Sequence, residues 1–186
     1  MPSLPPRCAA AILLAGLLAS LAGCGPAKDQ FPPVCPRADL LWQAADLSRY
    51  RDGSAGVAQD IRNLVLSGRI AAITAKCQPG DSAKEIAADV AVRIQLGRGP
   101  AMPGREIDVP FFLAITTGDQ IFTKKIYQMH VVFAPNIDQT TVTSDPVHMV
   151  FPVSATKTGA AYTVLAGFQL TEQELAFNRS HGVGQP

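Results

Sequence analysis

Residues 85–96 read Glu-Ile-Ala-Ala-Asp-Val-Ala-Val-Arg-Ile-Gln-Leu. Ile86, Ala88, Val90, Val92, Ile94 and Leu96 fall on one side of an extended chain, and Glu85, Ala87, Asp89, Ala91, Arg93 and Gln95 on the other. A strict period of two is the signature of a half-buried antiparallel strand. On a helix the same charges would be scattered around the circumference. Residues 105–117 repeat the pattern, with Ile107, Val109, Phe111, Leu113 and Ile115 sharing a face. Gly118-Asp119 then reads as a two-residue turn into a return strand over 120–133, which makes a hairpin. In the return strand Tyr127, Met129, Val131 and Phe133 share a face while Phe122 and Ile126 lie on the other, so Lys124-Lys125 is expected at a bulge or an exposed edge.

Working outward, four more strands are expected, within 37–49, 63–77, 140–153 and 160–170. The phase of the second changes between Ile70 and Ile73, which predicts a bulge. Pro146 and Pro152 make the third an edge strand or a broken one, because proline cannot donate to a ladder. Thr171 and Glu174 have capping-box spacing, which predicts a short helix over 172–178. The expected fold class is all-β: an immunoglobulin-like antiparallel sandwich of about seven strands with a short C-terminal helix. Trp42 follows Cys35 by only seven residues and precedes Cys77 by far, so the immunoglobulin Cys-Trp-Cys spacing is lacking. An open barrel is the alternative.

The first 23 residues have the parts of an export signal: Arg7, an apolar run from Cys8 to Leu21, then Ala22 and Gly23. The run is shorter than the roughly 20 residues a spanning helix needs. Leu-Ala-Gly-Cys at 21–24 matches the lipobox and resembles that of bacterial lipoproteins. The resemblance implies cleavage before Cys24, acylation of that residue, and attachment to a membrane without a spanning helix, since two acyl chains already anchor stably. Gly25 stands where an aspartate would favour the inner membrane, so the inner leaflet of the outer membrane is expected. The stretches 35–53 and 167–179 resemble a group of small lipoproteins of alphaproteobacteria, which implies location and fold and brings no catalytic residue.

The expected organisation is a signal over 1–23, a tether over 24–36, a sandwich over 37–179 and a tail over 180–186. Residues 25–36 contain four prolines and no apolar periodicity, and ten extended residues reach at most about 35 Å. Cys8 leaves with the signal and Cys24 takes the lipid. In an oxidising compartment Cys35 and Cys77 are expected to pair, closing a loop of about 42 residues.

Sixteen basic residues less Arg7 leave fifteen, equal to the fifteen acids, and no run of three charges occurs. Nucleic-acid binding through phosphate neutralisation is therefore disfavoured. No catalytic constellation is legible. His130, His148 and His181 are spread along the chain, and His130 meets His148 only if their strands pair. Ser82 lies in a turn outside any Gly-x-Ser-x-Gly, Glu106 and Asp108 alternate onto an outer strand face, and the glycine-rich 97–104 segment lacks the Lys-Ser/Thr of a phosphate loop. Neither an enzyme, a metal nor a cofactor is expected. The expected role is a protein-interaction or envelope-assembly module whose partners are the membrane, through the anchor, and another envelope protein. Contacts are expected from Tyr50, Arg51 and Asp52 in one loop and Arg98 and Met102 in another. A periplasmic carrier of a small apolar ligand is the alternative.

Overall fold

The computed structural model describes residues 34–51 and 60–181. Its strands, in chain order, are β1 (Arg37–Leu40), β2 (Asp46–Tyr50), β3 (Leu64–Pro79), β4 (Glu85–Arg98), β5 (Glu106–Thr117), β6 (Gln120–Val132), β7 (Gln139–Thr143), β8 (Val147–Pro152) and β9 (Thr163–Phe168), followed by helix α1 (Glu172–Ser180). One sheet has the order β1-β9-β5-β6. The other runs β2-β3-β4, with β7 and β8 sharing the far edge of β4. All pairs are antiparallel except β1 with β9.

The two sheets face each other across one core, giving a sandwich-like body. Every inward residue expected of β4 is buried, Val90, Val92 and Ile94 completely. They meet Val109, Phe111, Leu113 and Ile115 of β5. The Thr117–Gln120 turn closes on Gly118, whose φ of 56° suits glycine at the first loop position of a hairpin. The phase change in β3 is a bulge between Ile70 and Ala72. A second bulge falls at Phe122, because Ile115 pairs with Thr123 while Thr116 pairs with Ile121. It lies two residues before Lys124-Lys125, and those lysines occupy the exposed edge strand.

Two of the seven expected strands are broken, which yields nine. The 37–49 segment passes through a 3-10 turn at Trp42–Ala44, so β1 and β2 enter different sheets. Leu41 and Ala44 cover Phe112 and Ala114 on the outer face of the first sheet, while Leu47 reaches the central core. The chain must cross between layers to bury both groups. The 140–153 segment breaks before Pro146. Ser144 bridges the gap: its Oγ accepts the Val92 N–H at 3.0 Å, and its own N–H donates to the Val92 carbonyl at 2.9 Å.

Helix α1 starts at the predicted residue and extends past 178. Both halves of its capping box are made, with Glu174 N–H donating to Thr171 Oγ1 at 3.2 Å and Thr171 N–H to Glu174 Oε2 at 2.8 Å. The buried Asn178 pins the helix to the corner turn, donating to the carbonyls of Gln43 at 3.0 Å and Asp46 at 2.8 Å. Cys35 and Cys77 form a disulfide, as expected. No helix among the described residues is long and apolar enough to cross a membrane.

Candidate functional site

The two loops expected to make contacts adjoin at the end of the sandwich opposite the disulfide. Tyr50, half-buried, pairs with Leu64, and the exposed Arg51 follows it. Asp52 lies outside the described residues. The 97–104 loop folds back on the same strand start: Gly99 N–H donates to the Val65 carbonyl and Ala101 N–H to the Leu64 carbonyl, both at 2.9 Å. Arg98 stays at the surface, its Nε 3.0 Å from Asp138 Oδ1 and its Nη1 donating to the Gly104 carbonyl at 3.1 Å. Met102 does not face solvent. It packs into the central core at 7% exposure, so a partner at this end would meet Tyr50, Arg51 and Arg98 without it.

The outer face of the second sheet holds a trough of about 670 Å³, lined by Asp46, Ser48, Ser67, Arg69, Gln95 and Gln139 among others. Arg69 Nε donates to Asp46 Oδ1 at 2.6 Å, and that carboxylate raises the guanidinium pKa above its ordinary value. The remaining lining offers hydroxyls, amides and backbone. Sequence reasoning missed this trough, because only the register of β2, β3, β4 and β7 brings its residues side by side.

The histidines are separated. His130 on β6 lies with its Nδ1 2.8 Å from Asp108 Oδ1, and His148 on β8 has its Nδ1 2.9 Å from Asp89 Oδ1. These strands belong to different sheets, so no shared histidine site forms. Neither ring is hydrogen-bonded to a serine, threonine or cysteine. Among the described residues no three His, Cys, Asp or Glu side chains converge on a metal position. The Ser82 hydroxyl accepts the Lys84 N–H at 3.4 Å inside its turn.

The most unusual surface is β6. It pairs with β5 on one side and with no described strand on the other, along thirteen residues. Tyr127, Met129 and Val131 pack against the core while Thr123 and Lys125 share their face, and burial raises the Tyr127 hydroxyl pKa above its ordinary value. Yet Ile121, Phe122, Ile126 and Val132 are all more than half exposed. Lys124 covers part of the outer face, its Nζ 4.3 Å from the Phe112 ring centre. A long edge with exposed apolar side chains is a template for an added strand, and lysines on it limit indiscriminate pairing. Neither protein-family models, curated proteins nor solved structures match this chain.

Proposed function

We propose that this chain is a non-enzymatic lipoprotein, acylated at Cys24 and held at the inner leaflet of the outer membrane, that engages another envelope protein through the open β6 edge. One observation carries the interaction reading: a thirteen-residue strand, unpaired along one edge among the described residues, leaves four large apolar side chains exposed. Adding a strand would satisfy its outward backbone groups and bring side chains beside Ile126 and Val132, away from the hairpin tip. The Leu-Ala-Gly-Cys at 21–24 supports the anchor. The charge balance supports a protein partner over nucleic acid.

The carrier reading has less support. The facing side chains of the sheets pack into one buried cluster. The cleft between β6 and β8, beside Phe122, Tyr127 and Val150, holds about 250 Å³. Ligand pockets run from roughly 300 to 1,000 Å³. The finer class we assign is immunoglobulin-like, supported by two sheets that are antiparallel except for one pair, an N-terminal segment that crosses between them and a first strand parallel to the last. The uninterrupted β2-β3-β4 meander departs from the Greek-key order of that class.

The test is photo-crosslinking in intact cells, with a benzophenone side chain placed at Ile126 of the full chain. A discrete heavier adduct is expected, together with an acylated Cys24 by mass spectrometry. Monomer alone from position 126, and again from position 51, would overturn the interaction reading.

A further inference from the structure

We propose that the sandwich stands on the bilayer, with the tip of the β5–β6 hairpin seated among the lipid headgroups. This rests on the anchor reading and adds an orientation to it.

The place where the chain enters the sandwich is fixed. Cys35 is bonded to Cys77, and the Val34 carbonyl lies so close to Gly159 that a Cβ there would overlap it. Ten residues separate Cys24 from Cys35, a reach of at most about 35 Å. One row of paired residues crosses the sheet from this entry to the hairpin tip. Arg37 pairs with Thr163, Thr163 with Thr116, and Thr116 with Ile121. The anchored end and the tip are therefore the same end of the molecule.

That end is apolar at its rim. Ile121 is 68% exposed and Phe122, the residue extruded by the bulge, 62%. Val34 and Val150 are also exposed there. The Phe122 ring is backed edge-on by Tyr162, with centroids 6.5 Å apart, and Tyr162 packs on the buried Phe151 at 5.5 Å. The tip is thus braced by the core. All five lysines of the described residues, Lys76, Lys84, Lys124, Lys125 and Lys157, lie in this half, whereas Arg49, Arg69 and Arg98 lie toward the other end of their strands. Lysine stems run along apolar surface while the ammonium stays at the polar boundary. Asp39, Asp81, Glu85, Asp89 and Asp119 share this end and nearly balance its charge. Seating of Ile121 and Phe122, rather than attraction to anionic lipid, therefore carries the contact.

The test uses the full chain in vesicles of phosphatidylethanolamine and phosphatidylglycerol whose acyl chains are brominated near the headgroup. Trp42→Phe removes the single native tryptophan. Phe122→Trp then reports on the tip, and Ile137→Trp, in a separate variant, on the opposite end. Position 122 is expected to lose about half its emission and position 137 under about a tenth, as for a side chain seated at the headgroup boundary. Adding Ile121→Asp should cut the quenching at 122 severalfold, and zwitterionic vesicles should change it little. Acylated, vesicle-bound protein with equal quenching at both positions overturns the seating and leaves the anchor standing. Unacylated protein quenched at 122 alone keeps the seating and sinks the anchor, and unacylated protein quenched at neither sinks both. Emission at 122 that is shielded without bromine and recovers on dilution would assign the tip to a second copy of the chain and overturn the proposal.

Discussion

β4 and β6 are nearly the same length; β4 carries apolar residues at every second position, and β6 does so from Tyr127 to Val131. One is the centre of the molecule and the other its most exposed strand. β4 is flanked by β3 on one side and by β7 and β8 on the other, so its backbone groups are paired and its inner side chains are sealed between layers. Among the described residues β6 has β5 alone, and several of its large apolar residues are exposed. Alternation states which way side chains point. It does not state how many neighbours a strand has, and the number of neighbours decides whether apolar side chains stabilise the fold or await something else.

The contrast can be broken at its strongest point. Ile94→Ala should cost about 2–5 kcal/mol, the range for truncating a fully buried aliphatic side chain, read as a lower urea midpoint at unchanged slope. A loss below about 1 kcal/mol would mean that β4 is not the packed centre.

The next effect tests how β4 keeps its second neighbour. Ser144→Ala removes the side-chain acceptor of the Val92 N–H, at the break between β7 and β8. An unsatisfied, part-buried donor costs about 1–3 kcal/mol. Amide exchange at Val92 should accelerate in the variant, and unchanged protection there would show that the hydroxyl is dispensable.

On β6 the matching truncation should do almost nothing to the fold. Ile126→Ala is expected within about 0.5 kcal/mol of the parent by denaturation. Ile126→Glu should leave the melting curve in place while reducing crosslinked adduct in cells. A destabilisation like that at Ile94 would show that β6 is buried by something internal to the chain.

The smallest effect measures how far the inner face of β6 is removed from water. Because burial raises the Tyr127 pKa, the folded chain holds the phenolic proton to higher pH than the unfolded chain does. The stability this contributes is complete below the unfolded value of about 10 and is lost as pH rises through the folded pKa. Tyr127→Phe should therefore lose less stability than the parent as pH rises above the unfolded value of about 10. Identical alkaline profiles would place the hydroxyl in water.

Much of this was legible because it depends on neighbours along the chain. The two faces of β4 and β5, the Gly118 turn, the bulge after Ile70 and the capping box of Thr171 and Glu174 each follow from residues a few positions apart. The errors were long-range. Met102 sits in a glycine- and proline-rich loop that reads as surface, yet that loop folds back on Leu64 and Val65 and carries the side chain inside. The 37–49 segment looked like one strand because nothing local records that Leu41 and Leu47 belong to different layers.

The sequence alone determined that this chain would form strands, which faces of the longest ones would be apolar, and that Cys35 and Cys77 were candidates to be joined, since period, turn chemistry and cysteine spacing are properties of the covalent chain. The tertiary structure decided which strands lie side by side, that no described strand pairs the outer edge of β6, that four strands build a polar trough, and that the hairpin tip shares an end with the chain's entry into the sandwich. Those are matters of register between segments distant in sequence, and register is fixed only when both layers close over one core.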